Sequence, residues 1–395
     1  MYCRICQSKN INPIFNLGKQ PLANKYPKNE NEKKNEKLYN MDVFFCSNCT
    51  SCQLKVDIPR QVFFEDYYYL SSVNKELKFH FEQLANEIKD KNFVLDIGSN
   101  DGILLSPLKK KKVKCVGIDP SENVGEIANS KGLKTIISFF NEEACNEVIK
   151  YGGKPDCIVA SSIFTHLENL DEFIKNLKEI LSFDGVFILE VEYLNSILKN
   201  LQFERFYFDR PNYFTLKSIK LLFEKHDLIV VDVKKLTTHG ESLRIYIKRN
   251  YKNIEVKNSV LEVLNEEKII NQSYIYSKFS LFAIEIKKLK QELQNFKNQN
   301  VNVIGYGAPA RLATITNFGK INNTLISIII DDSELKSGRF SPGMHIPIKK
   351  FHSKEIQNTN TIILFAYEYF LSIRDKMANN NLKYFKPIPF VEMVK

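Results

Sequence analysis

FVLDIGSNDGILLSPLKKKKVKCVGID, Phe93 to Asp119, is the stretch on which the fold of this chain turns. An apolar run ends in Asp96, the tight turn Gly98-Ser99-Asn100-Asp101-Gly102 follows, a short helix comes next, and a second apolar run ends in Asp119. That is the pattern of a βαβ unit with a nucleoside site at its mouth. Gly98 lets the backbone come close to a ligand, and Gly102 lets the helix start against the strand. Asp119 ends the second strand, where a carboxylate accepts both ribose hydroxyls. The turn reads D-x-G-x-x-x-G, not G-x-G-x-x-G, so it suits S-adenosylmethionine, which has no pyrophosphate to cradle, better than a dinucleotide. A methyltransferase is the expectation. Its cofactor residues are predicted as Asp96, Gly98, Asn100, Asp101, Gly102 and Asp119, with Ser161 and Ser162 from a later strand.

Outward from this unit the signals alternate between helix and strand. Helical spacing across Leu77 to Ile88 leads in; CIVASSIFTHL, Cys157 to Leu167, and GVFILEVEYL, Gly185 to Leu194, read as further strands. A doubly wound sheet gathers Asp96, Asp119, Ser161, Ser162, His166, Glu190 and Glu192 around one crevice at its carboxyl edge. From about Val256 to Asn300 the pattern is helical, and Phe279, Phe282, Ile286, Leu289, Leu293 and Phe296 form an apolar stripe expected to pack on the next domain, with an oligomer seam as the alternative. A second strand-to-helix start, VNVIGYGAPAR, carries Gly305 and Gly307. In the loop DDSELKSGRFSPGMHIPI, Asp331 to Ile348, Lys336, Arg339 and His345 offer donors to phosphate. The predicted class is α/β, with a small zinc-binding domain (1–70), a central Rossmann-like domain (71–255) and a smaller Rossmann-like domain (256–395).

The chain's 56 Lys and Arg exceed its 46 Asp and Glu, giving a net charge of +10, but the lysines are dispersed and no basic stripe marks a nucleic-acid face. KNENEKKNEK, Lys28 to Lys37, alternates in sign and is expected to be a mobile surface loop. No apolar run reaches the ~18 residues of a membrane span, and the first residues, MYCRICQSKN, lack the form of a signal peptide. A soluble, cytoplasmic protein without membrane or nucleic-acid partners is predicted. In such a setting the pairs Cys3-x-x-Cys6 and Cys46-x-x-Cys49 predict a structural zinc site, because each knuckle aims two thiolates at one metal. Cys52 is a spare beside it, while Cys115, Cys145 and Cys157 read as core.

A collinear set of motifs carries a resemblance. LGKQPLAN (Leu17 to Asn24), CTSCQL (Cys49 to Leu54), DIGSNDG, THGESLR (Thr238 to Arg244) and YGAPAR followed by GRFSPGMHIPI resemble the three-domain sugar C-methyltransferases. That family methylates a ring carbon of nucleotide-linked 4-ketohexoses. The resemblance implies a nucleotide sugar between the central and C-terminal domains, with S-adenosylmethionine on the central sheet. Substrate-binding residues are then expected at Arg244, Tyr306, Arg311, Lys336, Arg339 and His345.

Carbon methylation beside a ketone needs a base for the ring proton and a donor for the enolate oxygen. The family links these tasks to a Tyr in D-Y-x-Y-x-S-S, matched here by Tyr69, and to a Y-H-E-H stretch. In this chain the latter reads Tyr207-Phe208-Asp209-Arg210, so an arginine stands where the basic histidine is expected. Arginine cannot take a proton at neutral pH. Tyr69, His166, Glu192 and His239 are the other candidates, and Arg210 is left to hold an anionic group or stabilise developing charge. Ser161 and Ser162 replace usual asparagines, and Glu241 replaces a usual glycine. The expected function is methylation of a nucleotide-linked sugar in surface polysaccharide or glycoconjugate synthesis, at carbon first. Oxygen methylation and a degenerate nucleotide-sugar binding protein are the alternatives, and the sequence leaves monomer and dimer open.

Overall fold

A computed structural model describes the chain apart from residues 57, 60, 65–70, 74, 238–239, 352–358, 378–380 and 395. Three sheets organise it. The first begins with β1 (Ile11–Gln20), β2 (Tyr39–Cys46) and β3 (Cys52–Leu54), paired antiparallel in that order. The stretch expected as a mobile loop is instead partly helical over Glu30–Lys34, because the Asn29 side chain caps the backbone N–H of Glu32 at 3.0 Å. Alternating charge there serves a short solvated helix.

The central sheet opens with β4 (Phe93–Ile97), β5 (Lys114–Asp119) and β6 (Thr135–Ile137), and returns on the other side of β4 with β7 (Cys157–Ser161) and β8 (Val186–Glu192), all parallel. The next strand, β9 (Asn212–Tyr213), leaves this sheet and pairs with β3 of the first. β10 (Leu228–Leu236) and β11 (Ser242–Arg249) then close the central sheet as an antiparallel edge, in the order β10-β11-β8-β7-β4-β5-β6. The strand order reverses between β4 and β7, so the crevice lies outside their carboxyl ends.

The stripe from Val256 onward divides into two helices, Asn258–Glu266 and Gln272–Asn298, the second capped by Asn271 at the N–H of Tyr274. Ile275, Phe282, Ile286, Leu289 and Leu293 are buried, each contributing about 1.5–3 kcal/mol over exposure. The helix packs on both flanking modules. Phe279 stacks on Phe15 of β1 with ring centroids 4.2 Å apart, and Phe282 meets Phe318 at 5.6 Å.

The third sheet comprises β12 (Val303–Tyr306), β13 (Ile329–Ile330), β14 (Ile348–Lys349), β15 (Thr361–Leu364), β16 (Lys383–Lys386) and β17 (Val391–Glu392), ordered β14-β13-β12-β15-β16-β17. Its own reversal, between β12 and β15, opens toward the same crevice through Gly307, Ala308 and Ala366. Among the described residues no helix is long and apolar enough to cross a membrane.

Candidate functional site

The N-terminal cysteines converge. The Sγ atoms of Cys3, Cys6, Cys46 and Cys49 lie within 4.8 Å of one another, with Cys3 to Cys49 and Cys6 to Cys46 both at 3.6 Å. Four thiolates about 2.3 Å from one zinc require sulfurs ~3.8 Å apart, so the set fits a closed tetrahedral zinc centre. Hydrogen bonding with Cys46 and Cys49 draws the Cys3 thiol below its ordinary range, and the same contacts with Cys3 push Cys46 and Cys49 up. Gln53 donates to Cys3 Sγ at 2.9 Å, and Ser51 Oγ lies 3.1 Å from Cys49 Sγ. Cys52 stays outside the cluster, buried in β3.

One cavity of about 1160 Å³ runs between the sheets. At its central end, Asp96, Gly98, Asn100, Asp119, Ser161 and Ser162 line the wall. Gly98 has φ +77°, and a Cβ there would sit 2.3 Å from Ile163 Cγ2, so only glycine fits the turn. Asp119 accepts from the backbone N–H of Asn100 and of Ser121, both at 2.9 Å, which fixes its carboxylate at the strand end. Burial, with the charges of Asp119 and Glu190 nearby, pushes Asp96 up to about 8. Two buried acids in the cavity wall fit a cationic ligand such as the sulfonium and ammonium of S-adenosylmethionine.

Two residues expected in this group stand elsewhere. Asp101 accepts from Ser72 and from Lys131, the latter at 3.3 Å, and does not reach the cavity. Gly102, at φ +82°, is fixed by packing, since a Cβ would meet Leu133 Cδ1 at 2.4 Å. Glu190 likewise does not line the cavity and accepts from Ser161 Oγ (2.6 Å) and Arg244 Nε (2.7 Å), with His80 Nε2 2.9 Å away. Burial opposes its charge, yet His80 and Arg244 draw it down to about 2.

Midway along the cavity the segment 207–210 meets the turn after β7. Tyr207, Asp209, Arg210, His166 and Glu192 all line this stretch. Arg210, expected to hold an anionic group or stabilise developing charge, lines the cavity with its guanidinium ion-paired to Glu192 and 5.0 Å from the Tyr207 ring centroid. His166 Nδ1 is 2.5 Å from the backbone oxygen of Asp209. The Asp209 carboxylate accepts from Asn24 at 3.1 Å, and burial pushes it up to about 6. Tyr69 and His239 lie outside the described residues.

This segment is held by the zinc module. Leu54 N–H donates to the Pro211 carbonyl at 2.9 Å, and Thr215 Oγ1 donates to the Cys49 carbonyl at 3.2 Å. Sequence reading missed that coupling because the two parts are far apart in the chain. The short β9, with Asn212 and Tyr213, was its only signal.

At the far end Arg311, Lys336 and Arg339 line the cavity. Lys336 donates to the Ala308 carbonyl at 2.9 Å, and Arg311 is ion-paired with Glu368. Three residues expected to bind substrate do not line it. Arg244 is committed to Glu190 and Glu87, Tyr306 donates to Asp332 at 3.0 Å, and His345 Nε2 pairs with Glu36 Oε2 at 2.6 Å. That last contact recruits the charged 28–37 stretch: Lys28, Glu32, Asn35, Glu36 and Lys37 join the wall, which composition alone did not reveal.

Comparison with known proteins follows the same three-part division. A zinc binding domain model matches residues 3–64, a methyltransferase domain model matches 69–233, and a C-methyltransferase C-terminal domain model matches 237–389. The C-methyltransferase NovU of Streptomyces niveus is 28% identical over 399 residues, spanning 98% of this chain and 95% of that protein. A ubiquinone biosynthesis O-methyltransferase of Pelagibacter ubique is 31% identical over 110 residues, 28% of this chain and 45% of that enzyme. Among solved structures, the PH0226 protein of Pyrococcus horikoshii OT3 aligns with a TM-score of 0.36 and 16% identity, over 48% of this chain and 99% of its own. Magnesium protoporphyrin IX methyltransferase from Synechocystis PCC 6803, solved with bound SAH, aligns with a TM-score of 0.36 and 15% identity, over 48% of this chain and 93% of its own. With all three models matched in order and one relative aligned along almost the whole length, the chain belongs to the three-domain C-methyltransferase family.

Proposed function

We propose that this protein transfers the methyl group of S-adenosylmethionine to a ring carbon of a nucleotide-linked ketosugar. The observation that carries the reading is the polarity of the cavity. Its central end holds the buried acids Asp96 and Asp119, and its far end holds the cations Lys25, Lys28, Lys37, Lys336 and Arg339 against the acids Glu32, Glu36 and Asp331. A cationic methyl donor suits the first end and a diphosphate suits the second, with the reacting carbon between them beside His166 and Tyr207. When bound, S-adenosylmethionine supplies an electrophilic methyl on sulfur. The protein's own task is then to orient the sugar, remove a ring proton next to its ketone, and exclude water from the enolate.

On this reading the divisions 1–70, 71–255 and 256–395 each contribute a wall of one site. Buried Tyr207, whose hydroxyl burial pushes above its ordinary range, is suited to donate to the enolate oxygen. The branched sugar so formed would enter a surface polysaccharide or glycoconjugate.

Calorimetry with uridine, thymidine, guanosine and cytidine diphosphates tests the anion end. At least one should bind, and Lys336→Ala together with Arg339→Ala should weaken it by about tenfold or more, as loss of charge-assisted contacts implies. Binding of none of the four, or affinity indifferent to both substitutions, would remove the nucleotide from the reading.

A further inference from the structure

Ser161, the last residue of β7, and Glu190 of β8 are partners in the parallel register of the two strands. The Ser161 hydroxyl donates to Glu190 Oε2 at 2.6 Å, and Ser162 N–H donates to the Glu190 carbonyl at 2.9 Å. Ser161 lines the cavity and Glu190 does not. We propose that Glu190 is a positioning residue for the methyl donor: through Ser161 it gives the central end of the cavity a hydroxyl that can only accept, and this acceptor takes the ammonium of the donor's amino-acid tail. The inference rests on S-adenosylmethionine lying at that end, as in the reading above.

The direction of each hydrogen bond follows from its partners. Arg244 Nε donates to Glu190 Oε1 at 2.7 Å, since a guanidinium has no acceptor. Burial opposes the Glu190 charge, but His80, 2.9 Å from Oε2, and Arg244 hold the carboxyl down to about 2. At neutral pH Glu190 is a carboxylate with acceptors only, so the single proton of the Ser161 hydroxyl goes to it. Ser161 turns its lone pairs to the cavity, and the ligand has to bring the proton. An asparagine, usual at this position in the family, would offer an amide donor as well.

The sheet order decides which donor arrives. β4 lies between β7 and β5. Asp119, read as the ribose partner, ends β5, while Ile97 of β4 pairs with Ala160 of β7, so Gly98 and Ser161 come side by side at the cavity wall. A methyl donor with its ribose at Asp119, lying across the Gly98 turn, brings its amino-acid tail to Ser161. In that tail the ammonium is the proton donor, and the carboxylate gains nothing from a hydroxyl that cannot donate.

Titration calorimetry with two ligands tests this: S-adenosylhomocysteine, which keeps the ammonium, and its analogue with the amino group replaced by hydrogen. The wild type should prefer the first, and Ser161→Ala should weaken the first by about tenfold or more while leaving the second unchanged, as loss of a hydrogen bond to a charged group implies. In Glu190→Gln, Arg244 keeps the amide oxygen and the NH2 faces Ser161, so the preference should fall there too, and fall no further when combined with Ser161→Ala. Glu190→Asp, which keeps a charge for Arg244 but withdraws it from Ser161, should lower the preference likewise and serves if the glutamine variant does not fold. A residue that supported the fold alone would change both ligands equally. Equal loss for the two ligands in Ser161→Ala, or no loss, overturns the acceptor. A preference unmoved by the Glu190 variants overturns the positioning role. A wild type that binds neither ligand removes the methyl donor from this end and the inference with it.

Discussion

Arg210 and Glu192 form an ion pair in the wall of the cavity, where the family resemblance places a proton-transferring histidine. Glu192 ends β8 and is almost wholly buried, and Arg210 comes from the segment just before β9. Burial opposes the charge on Arg210, but Glu192 beside it more than offsets that and holds the guanidinium above its ordinary range. The guanidinium stays charged, so Arg210 braces the wall and is not a proton carrier.

Breaking one half of such a pair costs more than removing both, because the survivor is left charged in a low-dielectric wall. Arg210→Met should destabilise the protein by about 3–5 kcal/mol, and the double change Arg210→Met with Glu192→Gln should recover much of it. Urea unfolding measures both. Additive effects of the two single changes would show that the pair is not coupled.

The zinc centre is expected to act at a distance. Elemental analysis should find one zinc per chain, and Cys46→Ser should lower it together with the order of the segment pinned through Pro211 and Thr215. Hydrogen exchange should then quicken at Arg210 and Tyr213, whose N–H groups lie in that segment, and remain slow in β4 and β5. Uniform protection across both regions would separate the metal from the loop.

Asp96 makes the protein's stability depend on pH. Its carboxyl ionises near 3.9 when unfolded and is pushed up to about 8 when folded. The folded state binds the proton more tightly, so this contribution is complete below pH ~4 and is lost as pH rises toward ~8. Without ligand, Asp96→Asn should flatten that decline. A cationic ligand should expel the proton, and calorimetry below pH ~8 in buffers of different ionisation heat would register its release. An unchanged stability profile in Asp96→Asn would place the proton elsewhere.

Much of this could be read from residues near one another in the chain. The D-x-G-x-x-x-G turn and Asp119 form the strand-turn-strand unit read for them, since a βαβ unit is local, and the two C-x-x-C knuckles bring four thiols together. What stayed hidden was long-range. Nothing around Arg244 announces that Glu87 and Glu190 claim it, and Glu36 meets His345 across more than 300 positions (|i−j| = 309). Alternating charge in 28–37 described solvation correctly, but could not tell a surface loop from a helix-bearing segment in the cavity wall.

Asp119 should dominate donor affinity. Asp119→Ala removes an acceptor positioned by Asn100 and Ser121, so the affinity for S-adenosylmethionine and its demethylated product should fall by roughly 2–3 kcal/mol, the scale of charge-assisted hydrogen bonds. Titration calorimetry reads this directly. An unaltered affinity would mean that the donor lies elsewhere in the cavity.

The most direct test of the central claim is transfer of a 13C-labelled methyl group from S-adenosylmethionine to nucleotide-linked 4-ketohexoses, followed by NMR of the product. The account predicts a labelled methyl coupled to a ring carbon adjacent to the ketone. A labelled methoxyl group on the sugar, or no transfer to any of these ketosugars while the methyl donor binds, would contradict it.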